Sequence, residues 1–347
     1  MAASATGLRQ DATVPVLPAG IPVVDIGGLY SNDPAAKAYA AAEIGKACDD
    51  IGFFYAVNHH IPLATIENAA ALADRFFALP DEEKLKIKAD SNNRGYRDKY
   101  DSVHRNGKTN ARDSFDLGFP VRADDPEVLA GTPFYAPNRW PDTPGFREAI
   151  EAYYQGTYEL GLKILEGFAL YLGKPEGFFT QHFTKPVADM VINHYLGNAG
   201  LHISDQASGP HTDHGIVTIL WQDNLGGLEV MGKDGNWISA MPLPGSFVIN
   251  IGELMKRWTN GRFKATVHRV VHLRDMPRYS MPMFCNPNFR TIVDPRDLGV
   301  SDADAKYPPI QSGQFLIERF KATRKLWGAE ARKNVSGDAN VIEAAAE

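Results

Sequence analysis

From Asp189 onward the chain consists of short apolar runs, among them "HGIVTILWQ", "GGLEVMG", "SFVINIG" and "ATVHRVVHL", each cut off by Gly, Pro or Asn. Runs of that length and composition are too brief for core helices and predict the strands of a sandwich or barrel. The texture before Asp189 is different. "IPVVDI" and "GFFYAVNH" read as strands, but Asp33 to Asp50, Leu63 to Ala78 and about Gly145 to Leu172 carry helical periodicity, the first with a cap near Ser31 or Asp33. A last helix is expected from about Ser312 to Leu326. The fold expected is mainly β with flanking helices.

No long polar linker divides the 347 residues, and at 44% hydrophobic content they suffice for one unit with a sizeable core. Residues 1–18 and 331–347 read as loosely ordered Ala-, Gly- and Ser-flavoured ends. Between them the expectation is a helix-rich region over 19–185 packed on a β core over 186–310, then a helix over 311–330. A net charge of −6 gives no basic footprint, which argues against a nucleic-acid polymer as substrate. Cys48 and Cys285 are too few for a disulfide framework, and the start lacks the basic and apolar stretches of a secretory signal. A reducing cytoplasm is therefore expected. No apolar run is long enough for a membrane span. Oligomeric state is not legible.

His211-Thr212-Asp213 is the sharpest chemical signal. On an extended segment residues i and i+2 share a side, so His211 and Asp213 can grip one metal ion, with His268 as third ligand. Two imidazoles and one carboxylate on one face of an octahedron leave three positions open, the pattern of non-haem Fe(II) oxygenases rather than closed zinc sites. Ten residues after His268 comes Arg278-Tyr279-Ser280. An arginine fork matches a carboxylate, and a hydroxyl two residues on faces the same way, so Arg278 and Ser280 can share one anion.

The runs "GSFVINIGELMKRWTNGRFKATVHRVV", "RYSMPMFCNPN" and "DIGFFYAVNHHIP" resemble the 2-oxoglutarate and Fe(II)-dependent oxygenases of the isopenicillin N synthase-like superfamily, over roughly residues 20 to 327. "SGQFLIERFKAT" and "RYSMPMFCNPN" resemble microbial members, such as fungal thymine hydroxylase, more than plant flavonoid oxygenases. The resemblance implies a double-stranded β-helix, a cupin-like jelly roll, with His211, Asp213 and His268 as iron ligands at one mouth of the barrel. It further implies that Arg278 and Ser280 hold the distal carboxylate of 2-oxoglutarate. Asn193-His194-Tyr195 stands at the family's Asn-Tyr-Tyr-Pro segment, so Tyr195 would donate to the same carboxylate and Asn193 would touch co-substrate or substrate. His194 replaces the first tyrosine and Leu196 the proline. The implied reaction consumes O2 and 2-oxoglutarate, releases succinate and CO2, and oxidises a C–H bond of a small molecule, by default to an alcohol.

Other histidines stay outside this set. Alternation turns His194 away from its neighbours and His214 away from Asp213, toward the outer sheet. His59 and His60 end a core strand, and His272 lies farther along than His268. Substrate-lining candidates are Tyr96, Arg97, His104, Arg105, Phe115, Trp221, Phe284, Asn286 and Phe320, against the ordinary alternatives of a solvated loop for the charged ones and core for the aromatics. Three rival functions are an Fe(II) oxidase independent of 2-oxoglutarate, in which Arg-x-Ser holds the substrate's own carboxylate, a non-catalytic β-barrel binding protein, and a zinc hydrolase, which has no reason for the Arg278-Ser280 pair.

Overall fold

Asp33 accepts a hydrogen bond from the Ala35 amide and is followed by Pro34, so the first helix, α1 (Pro34–Asp50), begins at the capping signal in the sequence. The computed structural model describes residues 20–90, 92–98, 112–197, 208–271 and 275–323. The expected loose ends, His104, Arg105 and His272 lie outside them. The helices that follow are α2 (Leu63–Phe77), α3 (Asp81–Leu85), α4 (Pro126–Leu129), α5 (Phe146–Tyr171), α6 (Gly177–Thr180), α7 (Glu253–Trp258) and α8 (Ser312–Thr323). Among the described residues no helix is long and apolar enough to cross a membrane.

Fourteen strands are described. Those before the textural break are β1 (Val23–Asp25), β2 (Phe53–Val57), β3 (Gly95–Arg97) and β4 (Arg112–Gly118). After it come β5 (Asp189–Tyr195), β6 (Ser208–His211), β7 (Val217–Gln222), β8 (Leu228–Met231), β9 (Trp237–Ser239), β10 (Phe247–Ile251), β11 (His268–Val270), β12 (Arg278–Cys285), β13 (Ile292–Val293) and β14 (Ile310–Gln311). A large sheet runs β1-β2-β10-β7-β12-β5-β4-β3, a smaller one β6-β11-β8-β9, and β13 pairs with β14. Apart from the parallel β1–β2 pair, the strands run antiparallel. Half of the large sheet thus comes from the helix-rich region, β1 and β2 as the strands read there and β3 and β4 unforeseen. A strand of three residues such as β3 is too short to show a period, and β4 carries Asp113 and Asp116 among its apolar residues.

Period two divides the large sheet into two working faces. Phe54, Ile249, Ile219, Met283, Ile192, Phe115 and Tyr96 point to one core, shared with α1, α2 and α5. Tyr55, Val248 and Tyr195 point the other way and meet Leu228, Val230 and Val270 of the small sheet. The second face is the interior of the jelly roll. Three substrate candidates lie on the first face instead, which corrects their assignment. Tyr96 and Phe115 pack with Phe76, and Trp221, paired with Met281, flanks the same core. Their alternation, counted from Arg278 or Tyr195, puts them on the odd side of the sheet.

Phe115 is wholly buried, edge-on to Phe76 and Phe146 at 5.5 and 5.2 Å between centroids. Phe115→Ala is expected to cost about 3–5 kcal/mol of stability through the cavity it leaves. Denaturant unfolding checks this; co-substrate affinity of the folded fraction should not change.

Candidate metal centre and anion clamp

β11 lies between β6 and β8, with His268 directly opposite His211. β6 stops at His211, so Asp213 is not held by strand geometry as the i, i+2 spacing suggests. It sits in the irregular segment that follows, fixed by other elements. The Glu253 amide donates to its carbonyl at 2.8 Å, and its Oδ2 accepts from Thr218 Oγ1 at 2.5 Å and Asn250 Nδ2 at 2.7 Å. Thr218 and Asn250 face each other across β7 and β10. With Oδ2 committed, Oδ1 stands 4.0 Å from His211 Nε2 and 3.8 Å from His268 Nε2. One potential ligand atom from each of the three residues lies within 4.8 Å of the others.

Both imidazoles are oriented through their other nitrogen, His211 Nδ1 at 2.8 Å from the Gly209 carbonyl and His268 Nδ1 at 3.2 Å from that of Thr266. A carbonyl there selects the tautomer whose Nε2 lone pair is free for a metal. Phe53 packs edge-on to the His268 ring. Thr212, between the ligands, donates to Glu253 Oε1 at 2.6 Å, and Glu253 pairs with Arg319 of α8. His211 opens to solvent on one side, yet crowding by protein and by His268 pushes its pKa down to about 4. Burial raises the pKa of Asp213, but His268, His211 and the two donors outweigh it and hold the carboxyl below its usual range. At neutral pH the site therefore offers a neutral imidazole and an ionised carboxylate, the forms that bind metal.

Thr218 and Asn250 were not legible as functional in the sequence, because a Thr and an Asn inside apolar runs read as tolerated core polar residues. Asn250→Ala should lower Fe(II) affinity by roughly 10–100-fold, the usual cost of losing a group that orients a ligand. Anaerobic Fe(II) titration checks it.

Farther along the same interior, strand register builds a second cluster. Arg278 of β12 lies opposite Tyr195 of β5, which lies opposite Arg112 of β4. Two residues on, Ser280, Asn193 and Ser114 face one another, with Gln222 of β7 on the far side of Ser280. Arg278 is only 1% exposed. Its Nε donates to the Gly226 carbonyl at 2.5 Å and its Nη2 to Gln222 Oε1 at 3.2 Å, while Nη1 has no partner among the described residues. A buried guanidinium N–H without an acceptor is costly, and an anion there would satisfy it. The Gly226-Gly227 turn, both residues at positive φ, brings that carbonyl in; a Cβ on Gly227 would strike the Val271 carbonyl.

Asn193 donates to Ser280 Oγ at 3.3 Å, and its own Oδ1 lacks a partner among the described residues. The Arg278 and Arg112 guanidinium carbons lie 4.9 and 5.6 Å from the Tyr195 ring centroid. Burial raises the Tyr195 pKa, and the two guanidinium charges more than reverse that. Gln222, Gly226 and Arg112 are participants that motif reading passed over.

The remaining candidates divide. Arg97 belongs to a segment that reads as a solvated loop, yet it is buried on the interior face, opposite Ser114, with Nε donating to Asp116 Oδ2 at 2.6 Å. Neighbouring Arg94 is buried against Asp189 at 3.1 Å. Phe284 shares the face of Arg278 and Ser280, and Asn286 is buried beside Gly215, its Oδ1 without a partner among the described residues. Phe320 on α8 packs on Phe134 and reaches His214. His214 faces Glu253 of α7 rather than the outer sheet. His194 stacks on Phe77 and Tyr279 and pairs with Asp113 at 2.7 Å, a packed histidine away from the metal. His59 packs on Phe247 and His60 on Tyr30. Both cysteines are buried and free.

Comparison with known proteins gives two family matches, a non-haem dioxygenase N-terminal region over residues 21–143 and the 2OG-Fe(II) oxygenase superfamily over 187–287. The chain is 33% identical to the 2-oxoglutarate-Fe(II) type oxidoreductase hxnY of Emericella nidulans, covering 94% of this chain and 97% of that one. It is 34% identical to a homoarginine-6-hydroxylase of Arabidopsis thaliana, covering 86% and 93%. Among solved structures, a full-length Neurospora crassa protein in complex with alpha-KG superposes with a TM-score of 0.75 at 28% identity, covering 86% of this chain and 95% of that one. A putative 2OG-Fe(II) oxygenase family protein from Caulobacter crescentus gives 0.77 at 28% identity, covering 88% and 99%.

Proposed function

The chain belongs to the 2OG-Fe(II) oxygenase superfamily, and from that premise we propose that His211, Asp213 and His268 carry its iron while Arg278, Ser280 and Tyr195 hold the distal carboxylate of 2-oxoglutarate. It is a 2-oxoglutarate-dependent dioxygenase. The observation that carries the residue assignment is the buried Arg278 Nη1, without a partner among the described residues, in the same barrel interior as the triad.

When bound, iron and 2-oxoglutarate supply the oxidising chemistry: 2-oxoglutarate, O2 and R–H become succinate, CO2 and R–OH. The protein's own groups do the positioning. Asp213 presents one carboxylate oxygen because Thr218 and Asn250 hold the other. The two histidines present Nε2 because backbone carbonyls hold Nδ1. The Gly226 carbonyl and Gln222 pin two nitrogens of Arg278 and leave the third to meet the carboxylate. His211, Asp213 and His268 would hold the iron with three protein atoms, a ligand count that would leave positions for co-substrate and O2.

The primary substrate in this reading is a small molecule that enters beside Phe284, Asn286 and Arg97. Support comes from relatives: the Neurospora crassa protein has been crystallised with alpha-KG and thymine, and others are homoarginine-6-hydroxylases. Succinate release by iron-loaded enzyme, screened with pyrimidines and basic amino acids, tests it. A substrate raises succinate above the uncoupled rate and yields an equal amount of oxidised product; no 2-oxoglutarate turnover under any condition would contradict the assignment.

A further inference from the structure

We propose that Glu253 is a positioning residue for the iron: its carboxylate holds the hydroxyl of Thr212, the residue that joins the ligands His211 and Asp213, and Arg319 of α8 steadies that carboxylate. This rests on the site assignment above.

His211 ends β6 and Asp213 lies beyond it, so the two soft backbone dihedrals of Thr212 set how far apart the two ligand side chains stand. A metal site tolerates little error in that separation. α7 begins against this segment. A Cβ on Gly252 would strike the Gly215 carbonyl, and the first amides of α7 close the approach, Glu253 donating to the Asp213 carbonyl at 2.8 Å and Leu254 to that of Gly215 at 3.0 Å. The Glu253 side chain then adds a hold on the residue before. Its Oε1 accepts from Thr212 Oγ1 at 2.6 Å, a short bond of the kind a carboxylate makes with a hydroxyl, and its Oε2 pairs with Arg319 at 2.6 Å. His214 Nδ1 stands 3.9 Å from Oε1. With the Asp213 carbonyl and the Thr212 hydroxyl both tied to Glu253, the dihedrals between the two ligands are fixed from either side before any metal arrives. The residue acts through the chain that carries the ligands and not as a ligand.

The test is anaerobic Fe(II) titration of the full chain, with urea unfolding of the metal-free protein alongside. Thr212→Val and Glu253→Ala should each weaken Fe(II) binding by about ten-fold or more, as for other groups that orient a ligand. The double variant should lose little beyond the worse single one, because both substitutions break the same bond. Glu253→Gln should recover most of the loss, since its amide oxygen still accepts from Thr212. Arg319→Met should cost only about three-fold, the pair being half exposed on the arginine side. With iron at saturation, 2-oxoglutarate affinity should match wild type in every variant, which a general loosening of the fold would not allow. Unchanged Fe(II) affinity in Thr212→Val and Glu253→Ala, losses that add fully in the double variant, or a Gln variant as weak as the Ala variant would overturn the proposal. If Glu253→Ala does not fold, Thr212→Val alone and in the Glu253→Gln background gives the same comparison. Wild-type iron affinity in Asp213→Ala would instead bring down the site assignment on which the proposal stands.

Discussion

Asp213→Ala enzyme is expected to lose Fe(II) affinity and 2-oxoglutarate turnover by well over 100-fold. Partners that merely orient a ligand cost roughly 10–100-fold when removed, so the loss of a ligand itself must exceed that range. Asp213 supplies the triad's only negative charge, and it stands between two imidazole nitrogens at 3.8 and 4.0 Å. Its removal also leaves Thr218 Oγ1 and Asn250 Nδ2 facing a void with no acceptor, which rules out rescue by local collapse around an apolar patch. Anaerobic iron binding and succinate formation measure the effect. Retention of iron affinity within 100-fold would mean that the metal is held elsewhere.

Arg278→Gln should leave iron binding intact and abolish productive 2-oxoglutarate binding. Removing one partner of a buried hydrogen-bonded charge pair costs about 2–5 kcal/mol, a fall of roughly 30-fold to several thousand-fold in affinity. Arg278→Lys should recover little, because an ammonium cannot reach the Gly226 carbonyl, Gln222 and an anion from three fixed directions. Calorimetric titration of 2-oxoglutarate separates the two variants from wild type. The same experiment separates the dioxygenase from an oxidase in which Arg-x-Ser grips the substrate's own carboxylate: in that case 2-oxoglutarate would not bind the wild type at all. The 2-oxoglutarate-Fe(II) names of the relatives already disfavour that rival.

What the sequence carried plainly was whatever repeats at short range. The long helices α1, α2 and α5 and the strands β1, β2, β7, β8, β10 and β11 follow from composition and periodicity, and the start of α1 from its cap. His211 and Asp213 were findable because their chemistry sits within three residues, and Arg278 and Ser280 because a strand places i and i+2 on one face. The mechanism behind the first pair was not legible. Asp213 lies beyond the end of β6 and is placed by Thr218, Asn250 and the Glu253 amide, groups five to forty residues away in sequence. Arg112 faces Tyr195 only because β4 joins the sheet beside β5, a pairing across more than seventy residues of intervening chain. Tyr96, Phe115 and Trp221 failed as pocket candidates for the opposite reason. Their side of the sheet follows from period two once the register of β3, β4 and β7 is known, and a single sequence does not give register.

The measurement that bears most directly on the central claim is an anaerobic titration of 2-oxoglutarate into Fe(II)-loaded wild-type, Asp213→Ala and Arg278→Gln enzymes, followed by admission of air and assay of succinate. A visible charge-transfer band and succinate are expected in the wild type, neither iron nor band in Asp213→Ala, and iron without a band at matched co-substrate concentration in Arg278→Gln. A band of wild-type strength in either variant, or iron-loaded wild type that forms no band and no succinate, would contradict it.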